Sequence, residues 1–589
     1  MKLFAPSVSA DLGASRGRTS GYATYVFAIM FSINFLNYMD RYVFTGASPI
    51  IGQELGLGLD QLGYIASAFL IVYSLGTLPF GVWADRTRRK NVVALCVTIW
   101  SLATAFTALA SNFIALFLSR MVLGVGEAGY YPAGTALLSD YYSRKKRAQI
   151  MSRWGAGTLI GLMVGFILGG FIAGLGKGSW RLAFLISGVP GLVLALLTWR
   201  LREPRRNEAD EQEEMEEGQV GAHQELKEGR SSTDLVRAHL KSVISALVSL
   251  LGGFIVGGAV CGLVLKNWDV TLVFIAIGLV LVGVIALLAI GGLLLVRRWQ
   301  ARIVQTQETD AEIGEQEIKP LAEGALTAPS SPADEGQRLS FSWRQLRQDF
   351  TALTSLLRIR SLVVLTLVQI FAFYAQGASV TFLPVYLHQK DALGLTVGQA
   401  ATLSGVVVVV AGIAGMIIGG YLADILNTFH PGARILVCGI GFLLCAPSFA
   451  LAVTVHSTTA FMIFFFITAM LILLYNGPCT AAIQDTVPSA LRASAVALTL
   501  LLAHLLGDAF APSLIGVLAQ HFDPTHGGHF AHDLAGQDLR LALLVTCVPM
   551  LVLAGLVGIF GARWMKSDVA AAQRADALAQ VRRSGAAMA

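Results

Sequence analysis

Asp40, Arg41, Arg120 and Glu127 are ionisable side chains within otherwise apolar stretches of this chain. Asp40 and Arg41 end the run Asn34-Phe-Leu-Asn37-Tyr38-Met-Asp40-Arg41, and Arg120 and Glu127 lie in Arg120-Met-Val-Leu-Gly124-Val-Gly126-Glu127-Ala-Gly129-Tyr130. Asn34, Asn37, Tyr38 and Arg41 follow helical spacing and form one polar stripe, with Asp40 beside it. Arg120 and Glu127, seven residues apart, share a helical face about 10 Å apart along the axis. A carboxyl group held near an arginine in apolar surroundings can alternate between a neutral acid and a paired carboxylate. Protonation of Asp40 or Glu127 would then free Arg41 or Arg120 for an anionic group, which is the chemistry of proton coupling with anion binding. The plainer alternative is a static ion pair joining two helices. His504 and Asp508, four apart on one face, offer either a second proton site or an ordinary interhelical hydrogen bond.

Other residues are candidates for lining or gating a cavity. Tyr130, Gln376 beside Tyr374, and Asn476 beside Tyr475 supply polar groups inside apolar runs. The stretch Gly81-Val-Trp-Ala-Asp85-Arg86-Thr-Arg-Arg89-Lys90 puts a small residue, an acid and several bases at one helix end. Glycine there allows close helix approach, and the aspartate can cap a neighbouring helix or pair with arginine as a latch. The basic residues also serve simply to set orientation.

The elements that must position these residues are membrane helices. Only 14% of the 589 residues are charged, against about 25% in a soluble domain, and the mean hydropathy is +0.65. Apolar runs long enough to cross a hydrocarbon core of about 30 Å recur along the chain. They lie near 22–45, 61–83, 91–110, 113–139, 149–175 and 181–200, then 242–265 and 270–296. Six more lie near 361–388, 397–424, 433–455, 459–486, 492–520 and 540–562. The expectation is an all-α polytopic membrane protein with fourteen transmembrane helices, two sets of six plus an inserted two-helix hairpin. The first 20 residues lack an apolar leader core, so the first span is expected to act as its own targeting signal.

Charge and repetition refine that picture. Arginine and lysine gather in alternate loops, around Asp85–Lys90, Ser143–Arg147, Arg200–Arg206, Arg297–Arg298, Arg434, Arg492 and Arg563–Lys566. This asymmetry places both termini in the cytoplasm and accounts for the net charge of +6 without nucleic acid. Gly81-Val-Trp-Ala-Asp85 is echoed by Gly420-Tyr-Leu-Ala-Asp424. Pro132, Asp140 and Arg147-Ala148 are echoed by Pro478, Asp485 and Arg492-Ala493. Two ordered echoes at equivalent spans indicate duplicated six-helix halves, with the substrate expected between them. The division is 1–200 for the first half, 201–241 an acidic linker, 242–296 the hairpin, 297–345 a second linker, 346–565 the second half and 566–589 a tail. Six cysteines inside apolar segments lack metal-ligand spacing, and no P-loop or HExxH occurs. No enzyme activity, metal or cofactor is expected.

The Gly81–Lys90 stretch resembles the loop motif of the major facilitator superfamily, with Arg88 where that motif has a second glycine. More specifically, four groups of residues resemble the spinster family. They are Asn37-Tyr-Met-Asp40-Arg41, Arg120…Gly124-Val-Gly-Glu127-Ala, Trp180-Arg-Leu-Ala-Phe…Gly188-Val-Pro-Gly191…Leu201-Arg-Glu-Pro204, and Ala481-Ala-Ile-Gln484…Val487-Pro488…Arg492-Ala493. The likeness covers twelve core spans and omits 205–345. It implies a major facilitator fold and a lipid or lysolipid transporter, with Asp40, Arg41, Arg120 and Glu127 as switch and binding residues. The Asn-Tyr-x-Asp-Arg and Gly-Glu-Ala elements are shared with anion:cation symporters, which leaves a proton symporter of a small organic anion as the alternative. The expected partners are the bilayer, the substrate and protons, in a bacterial inner membrane. The hairpin is an oligomerisation face, a lateral shield or inert.

Overall fold

The computed structural model describes residues 8–204, 232–283, 285–286, 356–430, 432–523 and 535–587. All regular structure among them is helical. The first half comprises α1 (Val8–Leu55), α2 (Leu59–Arg86), α3 (Arg89–Thr107), α4 (Phe113–Ala128), α5 (Tyr130–Tyr141), α6 (Arg144–Ala173) and α7 (Trp180–Trp199). Helices α4 and α5 are one span broken at Gly129. The inserted hairpin follows as α8 (Ser232–Leu265) and α9 (Trp268–Gly283). The second half comprises α10 (Arg360–His388), α11 (Val397–Asn427), α12 (Ala433–Thr454), α13 (Thr458–Leu473), α14 (Asn476–Asp485), α15 (Arg492–Ala503), α16 (Ala511–Phe522) and α17 (Ala535–Ala587). A π-helical turn, His504–Asp508, joins α15 to α16.

Twelve helices among the described residues are long and apolar enough to cross a membrane, so the expected fourteen is not reached by that measure. α1 is absent from the twelve, and the cause is the polar stripe Asn34, Asn37, Asp40 and Arg41, which lowers its mean hydropathy. Of the second hairpin arm, expected over 270–296, the described residues form an apolar helix over Trp268–Gly283, and residues 287–296 lie outside those described. The acidic linker drawn to 241 is helical from Ser232, and the second linker, 297–345, lies outside the described residues.

Close packing positions the site. Gly157, Gly161, Gly165 and Gly169 form a ridge on α6 against α1. A Cβ at Gly161, Gly165 or Gly169 would run into the carbonyl oxygens of Phe35, Met39 and Val43, so only glycine lets the polar stripe of α1 sit this close. Between the halves, described contacts cluster at the ends remote from the Gly81–Lys90 loop. Gly63 meets the Pro512 backbone, Gly170 meets Ala401, and the Ser513 N–H donates to Ser67 Oγ at 3.1 Å. The Gln53 amide lies 3.3 Å from His388 Nε2 at the same end. The hairpin packs on the flank of the second half. Gly257 faces Val406 and Val410, Phe254 and Phe274 ring Phe466, and the Gln399 amide donates to the Val264 carbonyl at 3.1 Å.

Candidate functional site

The polar stripe of α1 divides by depth. Asn34 is fully buried and its amide donates to the Trp154 carbonyl at 2.8 Å and to Thr158 Oγ1 at 3.0 Å, fastening α1 to α6. One turn on, Asn37 is buried with its Nδ2 unpartnered. A further turn brings Arg41 against Glu127 of α4. Arg41 Nη2 donates to Glu127 Oε2 at 2.6 Å and Nε donates to the same oxygen at 3.2 Å. Glu127 is 1% exposed, and its Oε1 has no hydrogen-bond partner. Charge-assisted bonds of this length are the strong kind, and in an apolar span each charge depends on the other.

Three rings surround the Arg41 guanidinium, with Tyr38, Phe69 and Tyr73 at 5.0, 4.9 and 4.8 Å from its carbon. Ring faces attract a cation electrostatically, so Arg41 is held by one carboxylate and three aromatics from two helices. Arg120 is placed differently. It lies over Phe44 at 4.4 Å and Phe184 at 5.3 Å, is 4% exposed, and has Nε and Nη2 without a hydrogen-bond partner. Asp40, 1% exposed, accepts a long 3.4 Å hydrogen bond from Thr104, while its Oδ1 has no partner. An arginine with spare donors and a carboxylate with a spare oxygen, both buried, are groups equipped to take up a polar ligand or a proton.

Across the seam, His504 Nδ1 and Asp508 Oδ2 are 3.0 Å apart within the π turn, whose signature bond runs from the Ala509 N–H to the His504 carbonyl at 3.0 Å. Such one-turn π segments occur often at functional sites. The His504 imidazole is edge-on to Phe373 at 4.7 Å and to Tyr73 at 6.0 Å. The Asp508 backbone presses on Gly377, where a Cβ would lie 2.6 Å from Asp508 Cβ.

The remaining expected residues spread more widely. Tyr130 is 1% exposed, donates to the Met30 carbonyl at 3.1 Å and packs on Trp100 and Trp154, so it braces α5 against α1. Gln376 is half-buried on α10, and Asn476 is half-buried at the start of α14 beside the buried Tyr475. At the loop end, Arg89 pairs with Asp140 and also donates to the Ala136 carbonyl at 3.3 Å. Glu203 accepts from the Arg89 and Lys90 backbone N–H groups at 2.7 and 3.1 Å and so caps α3. Lys90 binds the Trp199 and Leu201 carbonyls, Arg86 is exposed and Gly81 lies against Pro132. The Asp85 side chain lies outside those described. In the second half Arg434 joins Asp424 at 3.0 Å and also pairs with Asp485. Arg89–Asp140 and Arg434–Asp485 are both 51 residues apart. The Arg147 bond to the Ser139 carbonyl and the Arg492 bond to the Gln484 carbonyl both span eight. The duplication therefore extends to hydrogen bonding.

Several contacting residues carry no sequence signal. Phe69 and Tyr73 read as ordinary aromatics in an apolar span, as do Phe44 and Phe184, and Thr104 is one hydroxyl among many. Only the packing of α2, α3 and α7 around α1 and α4 shows what they touch.

The family model for the Major Facilitator Superfamily matches residues 30–302 and 237–512. A probable L-galactonate transporter of Escherichia coli K12 is 30% identical over 233 residues, covering 38% of this chain and 51% of that protein. Human protein spinster homolog 1 is 31% identical over 206 residues, covering 34% of this chain and 39% of that protein. The chain thus matches about half or less of the length of these curated relatives. Among solved structures, a bacterial homolog of the human lysosomal transporter spinster, inward-facing and unoccupied, superposes with a TM-score of 0.62. It is 21% identical, with 93% of this chain and 98% of that one covered. A D-xylose-proton symporter gives a TM-score of 0.51 at 12% identity over 90% and 97% of the two chains.

Proposed function

We propose a function from one premise: this chain belongs to the Major Facilitator Superfamily. On that premise it is a proton-coupled secondary transporter that works by alternating access, and its substrate is amphipathic and anionic, of the lysolipid class that the spinster likeness suggests. The observation that carries this reading is the Arg41–Glu127 pair with Arg120 and Asp40 nearby, where Glu127, Arg120 and Asp40 each hold a buried polar atom without a hydrogen-bond partner. A substrate phosphate would meet the free donors of Arg120. A proton arriving on Glu127 would loosen Arg41 and supply the differential interaction that an access change requires.

The membrane on this reading is a bacterial inner membrane with both termini in the cytoplasm. The seam, closed at the end remote from the Gly81–Lys90 loop, then corresponds to an inward-facing arrangement, with the Arg89–Asp140 and Arg434–Asp485 pairs as parts of the cytoplasmic gate. A second reading, proton symport of a small organic anion, has support from the likeness to the probable L-galactonate transporter.

Reconstituted protein decides between them. Uptake of labelled lysophospholipid into proteoliposomes that rises with an imposed pH gradient is the expected result. Movement of a sugar acid alone moves the substrate to the second reading, and movement of neither under any gradient overturns the proposal.

A further inference from the structure

Tyr73 of α2 contacts a member of each polar cluster. Its ring centroid lies 4.8 Å from the Arg41 guanidinium carbon, and the His504 ring lies 6.0 Å away at 85°. Its backbone is held from behind: a Cβ at Gly124 would lie 2.7 Å from the Phe69 carbonyl and 3.2 Å from Tyr73 N. The π turn that carries His504 packs on α2 and α10, and each of its acid and imidazole groups is already partnered within the turn. The ring is therefore shared. The Arg41 guanidinium and the His504 imidazole both lie against this one ring, so a charge acquired by His504 competes for its quadrupole and weakens the hold of Tyr73 on Arg41.

We propose that Tyr73 is a positioning residue that links the Arg41–Glu127 pair of the first half to the His504–Asp508 pair of the second, so that the two pairs change charge as one coupled unit. This rests on the proton-coupled reading above. The charged and titratable groups around the junction are Tyr38, Arg41 and Tyr42 on α1, Glu127 on α4, and His504 and Asp508 on the π turn. Linkage of this kind is reciprocal: whatever Glu127 does to the proton affinity of His504, His504 does to Glu127. It also predicts that the ring, rather than the hydroxyl, carries the effect.

The test is a histidine-selective 15N NMR titration of the full chain in nanodiscs, with the His504 signal assigned by its loss in His504→Gln. Glu127→Gln is expected to move the His504 titration midpoint by about threefold in proton affinity, roughly half a pH unit. Tyr73→Phe should preserve that response and Tyr73→Leu should abolish it, with Tyr73→Met taking its place if the leucine variant does not fold. An unchanged response to Glu127→Gln in the Tyr73→Leu or Tyr73→Met background overturns the link, as does a Tyr73→Phe variant that behaves like leucine. The titration needs no substrate. Intact linkage without gradient-driven uptake therefore counts against the transport reading, and uptake without linkage counts against Tyr73.

Discussion

At the scale of single residues, Arg41 and Arg120 have different tasks although both are arginines within apolar helices, Arg41 half-buried and Arg120 buried. Arg41 is committed to Glu127 and to three rings, whereas Arg120 keeps donors in reserve. Removing one member of a buried pair leaves the other charge unpaired, at about 3–5 kcal/mol. Glu127→Ala is therefore expected to lower the melting temperature in detergent sharply. Glu127→Gln retains an acceptor for Arg41, so it should stay folded and lose most gradient-driven uptake while keeping exchange between equal pH compartments. Arg120→Lys loses the planar donor fork and its stacking on Phe44 and Phe184. Its expected signature is an apparent KM raised about tenfold for an anionic substrate, equivalent to about 1.4 kcal/mol, with little change in melting temperature. An unchanged KM would remove Arg120 from the binding site.

At the scale of elements, glycine spacing and a π turn do the positioning. The α6 ridge brings the α1 backbone close enough for the stripe of α1 to reach α4, and overpacking such a seam costs about 1–3 kcal/mol. Gly165→Leu is expected to show that loss as a lower melting temperature, together with loss of uptake, since a larger side chain must push α1 away from α6 at Met39. Sequence spacing alone identified the ridge, because small residues every four positions face one way. It identified His504 and Asp508 as neighbours too, but the π geometry that turns them toward Tyr73 adds a residue to the local turn and leaves no mark in hydropathy.

At the scale of the whole molecule, the halves meet at one end and the hairpin stays to one side. Its described packing includes α11 and α13 of the second half, through Val406, Val410, Gln399 and Phe466. Replacing 232–296 by a flexible linker is therefore expected to leave gradient-driven uptake within about threefold of the full chain, close to the additivity expected of sites with no shared partners. Loss of uptake in a folded deletion would assign the hairpin a working role. Because all six native cysteines are buried, a crosslink can be placed cleanly across the seam. Gln53→Cys with His388→Cys, joined by a short bifunctional reagent, is expected to arrest transport, and a reducible reagent should restore it on cleavage.

The sequence by itself determined the class, the duplication and the charged residues worth testing. Long apolar runs force helices because an unpaired backbone cannot be left in lipid, and Arg89, Asp140, Arg434 and Asp485 recur at one spacing because the halves repeat. Of the fourteen expected spans, twelve meet the measure of length and hydropathy among the described residues; α1 carries a polar stripe, and the second hairpin arm is described only in part. Only the tertiary structure decided that Glu127 belongs to Arg41 rather than to Arg120 on its own helix, that Asn34 and Tyr130 brace rather than face the polar cluster, and that Tyr73 joins the two halves. The reason is physical. Helical periodicity fixes which residues share a face, but which face meets which is set by packing among a dozen helices, and apolar side chains carry no periodic signal of their eventual partners.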